Sequence, residues 1–261
     1  MKVSMNKLIG RNNEIGLIKS YISGIKSFHI YGPEGVGKTA VLEYLYTHWD
    51  DLDSPLIPIF CRTSRTLKEI LLPIAGVLLQ RSRSLANIDK FKRIKEIYRQ
   101  SDLKEVNSRE LKNMIFNNIG YKKFCIILDH LEYVTPKINA FLTPLKDRAV
   151  IITASRQSWE LTDYQFKGNL NYCLYLFPKL KVANLSRGDA YSLMEYLYEN
   201  LHLEIPHKAQ LFKEIFHITN GNPKMITGIL YEVRKPEYIK NQTCNLKLIQ
   251  LDLMIENPLH K

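Results

Sequence analysis

The 261-residue chain holds no run near the roughly 20 consecutive apolar residues that a membrane-crossing helix needs. No membrane association is therefore expected. Its first residues, Met1-Lys2-Val3-Ser4-Met5-Asn6-Lys7, lack the apolar stretch of a secretory signal, so a cytoplasmic location is expected. Cysteine is scarce. The four present, Cys61, Cys125, Cys173 and Cys244, form no C-x-x-C pair. That excludes a disulfide framework and argues against a zinc site, and reduced, mostly buried thiols are expected. Internal repeats and low-complexity segments are also missing.

What is present is an ordinary globular balance, 45% hydrophobic and 24% charged, which excludes a disordered chain. The length suffices for one substantial core, or for a large domain and a small one. The formal net charge of +11 is uneven, because residues 62 to 123 hold fifteen Lys/Arg against six Asp/Glu. A basic balance of this kind favours polyanionic partners and says nothing about fold.

Apolar β-prone runs alternate with helical patterns, which predicts βα units and a parallel sheet. Strands are predicted at Ser27–Tyr31, Pro58–Cys61, Phe124–Leu128, Ala149–Thr153 and Cys173–Phe177. Phe-Cys-Ile-Ile-Leu at 124–128 has the continuous apolar character of a strand buried on both faces. Helices are predicted over Lys38–Trp49 and Thr66–Leu79, with two more across residues 89 to 119. After about residue 183 the pattern turns all-helical, with helices at Ser186–Asn200, Lys208–Thr219 and Pro223–Arg234. The expected architecture is an α/β domain over 1–182, a parallel sheet with flanking helices. A small helical lid follows over 183–235, then a C-terminal tail over 236–261.

The chemistry begins at Gly32-Pro33-Glu34-Gly35-Val36-Gly37-Lys38-Thr39, which fits the P-loop pattern G-x4-G-K-[ST]. Its glycines let the backbone curl so that N–H groups converge on phosphates. The helix opening at Lys38 adds the positive end of its dipole. Gly32, Gly35, Val36, Gly37, Lys38, Thr39 and Ala40 are the expected nucleotide-binding residues. Lys38 would reach the β- and γ-phosphates and the Thr39 hydroxyl would ligate Mg²⁺. A chance match in a Gly-rich turn is the competing reading. The preceding strand and following helix argue against it.

Asp129, at the end of the 124–128 strand, is the second expected Mg²⁺ residue, opposite Thr39. Alone, it could equally be an Asp that ends a strand. Hydrolysis would further need a group that orients water and a cation near the γ-phosphoryl. Glu132 and His130 are both candidates for the first role, against ordinary loop residues. Thr153, Ser155 and Arg156 follow the fourth strand, and Arg156 is the candidate γ-phosphate sensor because its guanidinium is a fixed-charge fork. A surface arginine is the alternative.

Five segments then fall into a familiar order. Leu8-Ile9-Gly10-Arg11-Asn12-Asn13-Glu14 resembles an hhGRxxE box. Gly32–Thr39 matches Walker A and Ile126-Ile127-Leu128-Asp129 matches Walker B. Ile151-Ile152-Thr153-Ala154-Ser155-Arg156 resembles a T-x-S-R sensor segment, and Gly221-Asn222-Pro223 a lid G-x-P motif. Together, over residues 8 to 235, the chain resembles AAA+-related ATPases of the STAND and archaeal-ATPase type, sisters of the origin-recognition ATPases. The resemblance implies Arg11 near the nucleotide, Pro223 closing over base or ribose, Arg156 reading the γ-phosphate, and ATP with Mg²⁺ as cofactors. No Asn/Thr-Lys-x-Asp guanine-reading motif occurs. His130 stands where many such ATPases have an acidic residue, so slow turnover is expected. No clear sensor-2 arginine is seen in the lid, and the effector is expected to lie in another chain.

Two functions follow as expectations. One is a nucleotide-dependent switch that assembles with itself or with a separate effector protein. The other is a DNA-binding ATPase of the transposition-helper or replication-initiator kind, with Arg81, Arg83, Lys90, Lys92, Arg93, Lys95 and Arg99 following a phosphate backbone. A solvated helical face is the plainer reading of those seven residues. A small-molecule kinase would use the same loop, but no acceptor pocket or lid arginine cluster is evident.

Overall fold

The computed structural model describes residues 8–84, 102–160, 172–240 and 243–256. The chain divides into two compact units. One comprises Asn13–Gly32 and Lys38–Lys181. The other comprises Met1–Asn12, Pro33–Gly37 and Val182–Lys261.

The first unit is an α/β layer structure. Its strands are β1 (Phe28–Tyr31), β2 (Ile57–Cys61), β3 (Phe124–Leu128), β4 (Val150–Ser155) and β5 (Lys179–Lys181). They pair in the order β2-β3-β4-β1-β5, and every pairing is parallel. Parallel neighbours need crossover connections. These are supplied by α2 (Lys38–Thr47), α3 (Leu67–Ser84), α4 (Ser108–Asn118) and α5 (Pro136–Leu145), after α1 (Asn12–Ser23) at the start.

Period-2 alternation along the strands feeds two faces. Ile59, Ile126, Leu128 and Ile151 pack with Ile70 and Ile74 of α3, Leu111 and Ile115 of α4, and Phe141 and Leu142 of α5. On the other face Phe28 meets the Tyr21 ring of α1 at 5.1 Å, and α2 lies against β4. β3 is buried at all five positions, as its unbroken apolar run predicts. Each such isoleucine or leucine contributes about 1.5–3 kcal/mol by leaving water.

The fifth strand is displaced from its expected place. Cys173–Leu176 forms a 3-10 turn, and β5 lies beyond it at Lys179–Lys181. The apolar residues at 173, 174 and 177 are buried while Leu176 is exposed, which is turn spacing and not strand alternation. Pro178 has no N–H for a ladder. Its carbonyl instead accepts from the His29 N–H at 2.8 Å, and β5 pairs onward from there. β5 buries Leu180 between two lysines, a charged edge suited to a sheet border. Other predicted elements hold within a few residues. Of the two helices expected across 89 to 119, α4 is described, and residues 85 to 101 lie outside the described set.

The second unit is helical: α6 (Arg187–Asn200), α7 (Lys208–Thr219), α8 (Pro223–Glu232) and α9 (Leu246–Glu256), with a short hairpin of β6 (Ile239–Lys240) and β7 (Thr243–Cys244). Leu193, Met194 and Leu197 of α6, Phe212 and Ile215 of α7, Ile229 and Leu230 of α8 and Ile249 of α9 share one core. Ser186 caps α6 and Asn222 caps α8, where Pro223 takes the first helical position. α9 lies within the stretch expected as a tail, and the Tyr238 hydroxyl donates to its Asp252 at 2.8 Å. No described helix is long and apolar enough to cross a membrane.

Candidate nucleotide site

The loop between β1 and α2 has the backbone that its glycines allow. Gly35 and Gly37 hold φ values of +81° and +96°, a region costly for any residue with a Cβ. Lys38 opens α2, and its ammonium donates to the Gly32 carbonyl at 2.7 Å. The lysine thus folds over the loop it belongs to, and bound phosphate oxygens would offer it stronger, charged acceptors.

The loop's tip, Pro33–Gly37, belongs to the helical unit. Asn222 Nδ2 donates to the Glu34 carbonyl at 3.0 Å, and the Lys224 N–H donates to the Gly35 carbonyl at 3.1 Å. Lys224 Nζ also reaches Glu34 Oε1 at 2.8 Å. A Cβ on Gly35 would come within 2.6 Å of Asn222 Oδ1, so glycine is required here for contact as well as for conformation. All three bonds use acceptors of the loop. Phosphate binding uses its N–H donors, so the two are compatible.

Arg11 braces the same tip. It is buried at 5% exposure, and its Nη2 donates to the carbonyls of Val36 and Ala183, each at 2.7 Å. Its guanidinium therefore supports the backbone of the loop's tip within the helical unit. Pro223 begins α8, next to Asn222 and Lys224.

Asp129 follows β3 and is 2% exposed. Oδ1 accepts from the His130 N–H at 2.8 Å. Oδ2 is buried without a hydrogen-bond partner among the described residues and lies 3.5 Å from His130 Nε2. A buried carboxylate oxygen left unsatisfied is costly unless something completes it. A hydrated Mg²⁺ fits that need, so Asp129 and the Thr39 hydroxyl at the start of α2 suit the expected metal.

His130 adopts a left-handed backbone, φ +56°. That single residue turns the chain so that the Leu131 N–H still reaches the Ala154 carbonyl, at 2.9 Å, while Glu132 follows toward the end of β4. There Glu132 Oε2 accepts from the Arg156 backbone N–H at 3.0 Å and from Arg156 Nε at 3.3 Å. The candidate water-orienting residue and the candidate γ-phosphate sensor are thus brought together, bonded to each other.

Thr153 and Ser155 are fully buried and engaged inside the sheet. Their partner is His29, the second residue of β1, which the sequence reading missed. His29 Nδ1 lies 2.7 Å from Thr153 Oγ1 and Nε2 lies 2.7 Å from the Gln157 carbonyl. Ser155 Oγ donates to the same carbonyl at 2.9 Å and accepts from the Gln157 N–H at 3.1 Å. Burial lowers the His29 pKa to about 4; the Gln157 carbonyl bond opposes this, and the charges of Lys179 and Lys38 add to it. The available signal was a lone polar residue inside Phe-His-Ile-Tyr, an interior strand of the sheet.

Of the basic residues named for a phosphate backbone, Arg81 is exposed on α3. The Arg83 side chain and Lys90, Lys92, Arg93, Lys95 and Arg99 lie outside the described residues. The three buried cysteines, Cys61, Cys125 and Cys173, are free thiols whose pKa burial pushes up.

No protein-family model and no curated protein sequence matches the chain. Solved structures do. The chain is similar to the Walker-type ATPase PABY2304 of Pyrococcus abyssi, with a TM-score of 0.59 at 15% identity, over 96% of this chain and 77% of that one. It is similar to ORC1 of Aeropyrum pernix in complex with DNA, at 0.59 and 13% identity, over 95% of this chain and 66% of that one. It is also similar to AMPPCP-bound DnaA of Aquifex aeolicus, at 0.52 and 15% identity, over 87% and 63% of the two chains. The chain thus spans about two thirds of the length of the last two. At such identities the likeness is one of fold.

Proposed function

From a chain with the fold of the AAA+ P-loop ATPases, sisters of the origin-recognition ATPases, we propose an ATP-dependent switch that assembles with itself or with a separate effector protein when ATP binds. The observation that carries this reading is the bonding of Asn222 and Lys224 to Glu34 and Gly35. The tip of the loop that would receive phosphates is itself part of the helical unit. Any change in the loop on ATP binding would be felt at α8 directly, which is what a two-state device requires.

Within this reading Lys38 and the loop N–H groups hold the phosphates, and Thr39 and Asp129 hold Mg²⁺. The metal would supply charge neutralisation at the phosphate oxygens. Arg11 and Pro223 serve the base side of the nucleotide, as the resemblance implies. Arg156 reads the γ-phosphate, and Glu132 polarises water in a slow Mg²⁺-dependent hydrolysis. His130, in the place of a second acidic residue, keeps turnover slow and the ATP-bound state long-lived.

Size-exclusion chromatography with no nucleotide, ADP·Mg²⁺ and ATP·Mg²⁺ tests the switch. A larger species with ATP alone, or a partner retained with ATP alone, is expected. One size throughout with no retained partner removes the assembly reading. Lys38→Ala is expected to lose nucleotide binding, and undiminished binding there overturns the site itself.

A second reading is a DNA-binding ATPase, favoured by the basic stretch and by a structural neighbour solved on DNA. Duplex affinity that falls steeply with salt, and falls again on charge reversal at Arg93 and Lys95, would select it. Weak binding even at low salt would eliminate it.

A further inference from the structure

The buried His29 cluster is the feature of the sheet that the proposed switch has not used. His29 sits on β1, the strand that runs into the phosphate loop. Its two nitrogens reach two points of the segment that carries Arg156: Thr153, three residues before it, and Gln157, the residue after it. We propose that His29 is a positioning residue for Arg156, fixing the turn at 155–157 so that the arginine is presented for γ-phosphate recognition.

The chemistry of the partners assigns every proton in the cluster. A backbone carbonyl only accepts, so Nε2 must carry the ring proton toward Gln157. Nδ1 is then bare, and the Thr153 hydroxyl must donate to it. Ser155 completes the turn by donating to the same Gln157 carbonyl and accepting from the Gln157 N–H. Gln157's carbonyl is thereby gripped from the sheet by His29 and from within the turn by Ser155. Residue 156 lies between these anchors, so its Cα position follows from them.

The neutral ring is the form this scheme needs, and burial enforces it. A ring with its pKa near 4 stays neutral through the physiological range. The Lys179 and Lys38 ammonium groups, from β5 and α2, disfavour a charge there further. Neither Thr153 nor His29 is exposed, so neither is a catalytic residue. Their effect on the nucleotide runs through Arg156, whose side chain is 54% exposed.

This inference rests on Arg156 reading the γ-phosphate, and the test separates the two. ATP and ADP affinities in Mg²⁺ are measured by calorimetry for wild type, Arg156→Ala, His29→Gln and His29→Asn. Glutamine can place an amide N–H where Nε2 stands and so keep the bond to Gln157. Asparagine is too short for that and retains only the Thr153 side. Expected is a wild-type preference for ATP over ADP that Arg156→Ala abolishes, His29→Asn reduces about tenfold and His29→Gln largely retains. ADP affinity, which involves no γ-phosphate, should stay at the wild-type value in His29→Asn and so certify that the variant is folded. If Arg156→Ala abolishes the preference while His29→Asn keeps it, the positioning role is wrong. The same holds if His29→Gln and His29→Asn lose it equally. If wild type shows no preference, or Arg156→Ala leaves it intact, the sensor reading of Arg156 fails, and with it this inference.

Discussion

Glu132 and Arg156 occupy each other: one carboxylate oxygen accepts both the backbone N–H and the Nε of the arginine, at 3.0 and 3.3 Å. An arginine that reads a γ-phosphate from this position must exchange a carboxylate for a phosphate. A glutamate that polarises water must give up a cation. The exchange would break the Nε contact and leave Glu132 held by the Arg156 backbone N–H alone. Because Arg156 is about half exposed, the pair itself is worth little, about 0–1 kcal/mol.

Glu132→Gln removes the charge that competes for Arg156. ATP affinity is expected to rise severalfold at most, while hydrolysis falls by roughly 10²-fold or more if Glu132 is the general base. Titration with ATP and a steady-state phosphate assay on the same variant read the two effects. Affinity and turnover that both stay at wild-type values would deny the glutamate either role.

The Glu34–Lys224 pair makes a different kind of claim, about loop and helix rather than chemistry. Both side chains are largely exposed, 60% and 64%, so each single charge reversal should cost no more than about 1 kcal/mol. Glu34→Lys with Lys224→Glu should recover most of that loss. The recovery should shrink in high salt, as exposed ion pairs do. A double-mutant cycle on the unfolding midpoint, at low and high ionic strength, measures the coupling. A coupling of zero at low salt would mean that Asn222 and the Lys224 backbone carry the contact alone.

Local pattern announced the phosphate loop, β3 and α7, because each depends on short-range rules. Five apolar residues in a row fixed β3, and α7 runs Lys208–Thr219 as its periodicity predicts. Local pattern did not announce α5, which begins and nearly ends with proline, at Pro136 and Pro144. It placed the fifth strand on Cys173–Phe177, because an apolar run looks alike whether it pairs as a strand or fills a core as a turn. The site divides the same way. Lys38, Thr39 and Asp129 come from contiguous motifs. The Glu132–Arg156 pair spans 24 positions and depends on the left-handed backbone at His130, which no pattern marks. His29 finds its partners 124 and 128 residues away. Contacts of that range are set by the register of β1 on β4, and register appears only when the sheet is assembled.

Gly221 tests whether the Gly-Asn-Pro segment needs its glycine. Its φ is +75°, and a Cβ there would stand 2.3 Å from the Leu185 carbonyl oxygen. That oxygen belongs to backbone and cannot swing aside. The Leu185 N–H also donates to the Gly221 carbonyl at 2.9 Å, so the two strands of chain are held at this distance. Gly221→Ala should therefore cost more than the ~1–2 kcal/mol of left-handed strain alone. Thermal unfolding should register the loss. A variant as stable as wild type would show that the α7–α8 turn can relax at no cost.

His29 gives the last prediction a sign and a pH window. Its pKa is about 4 in the native protein against an ordinary 6.5, with burial the largest cause. Between those values the unfolded chain binds a proton that the native sheet refuses, so stability rises with pH across the window. The contribution is complete above pH 6.5 and is lost as pH falls toward 4. The full amount is at most about 3 kcal/mol. Carboxylates elsewhere also titrate in acid, so the total curve is not diagnostic, but the difference between wild type and His29→Gln is. Glutamine retains a polar bond to Gln157 and cannot ionise. Denaturant unfolding at a series of pH values should show wild type losing stability relative to His29→Gln as pH drops from 6.5 to 4, with a constant difference above pH 6.5. A difference that is flat across the whole range would mean that His29 is not held neutral inside the sheet.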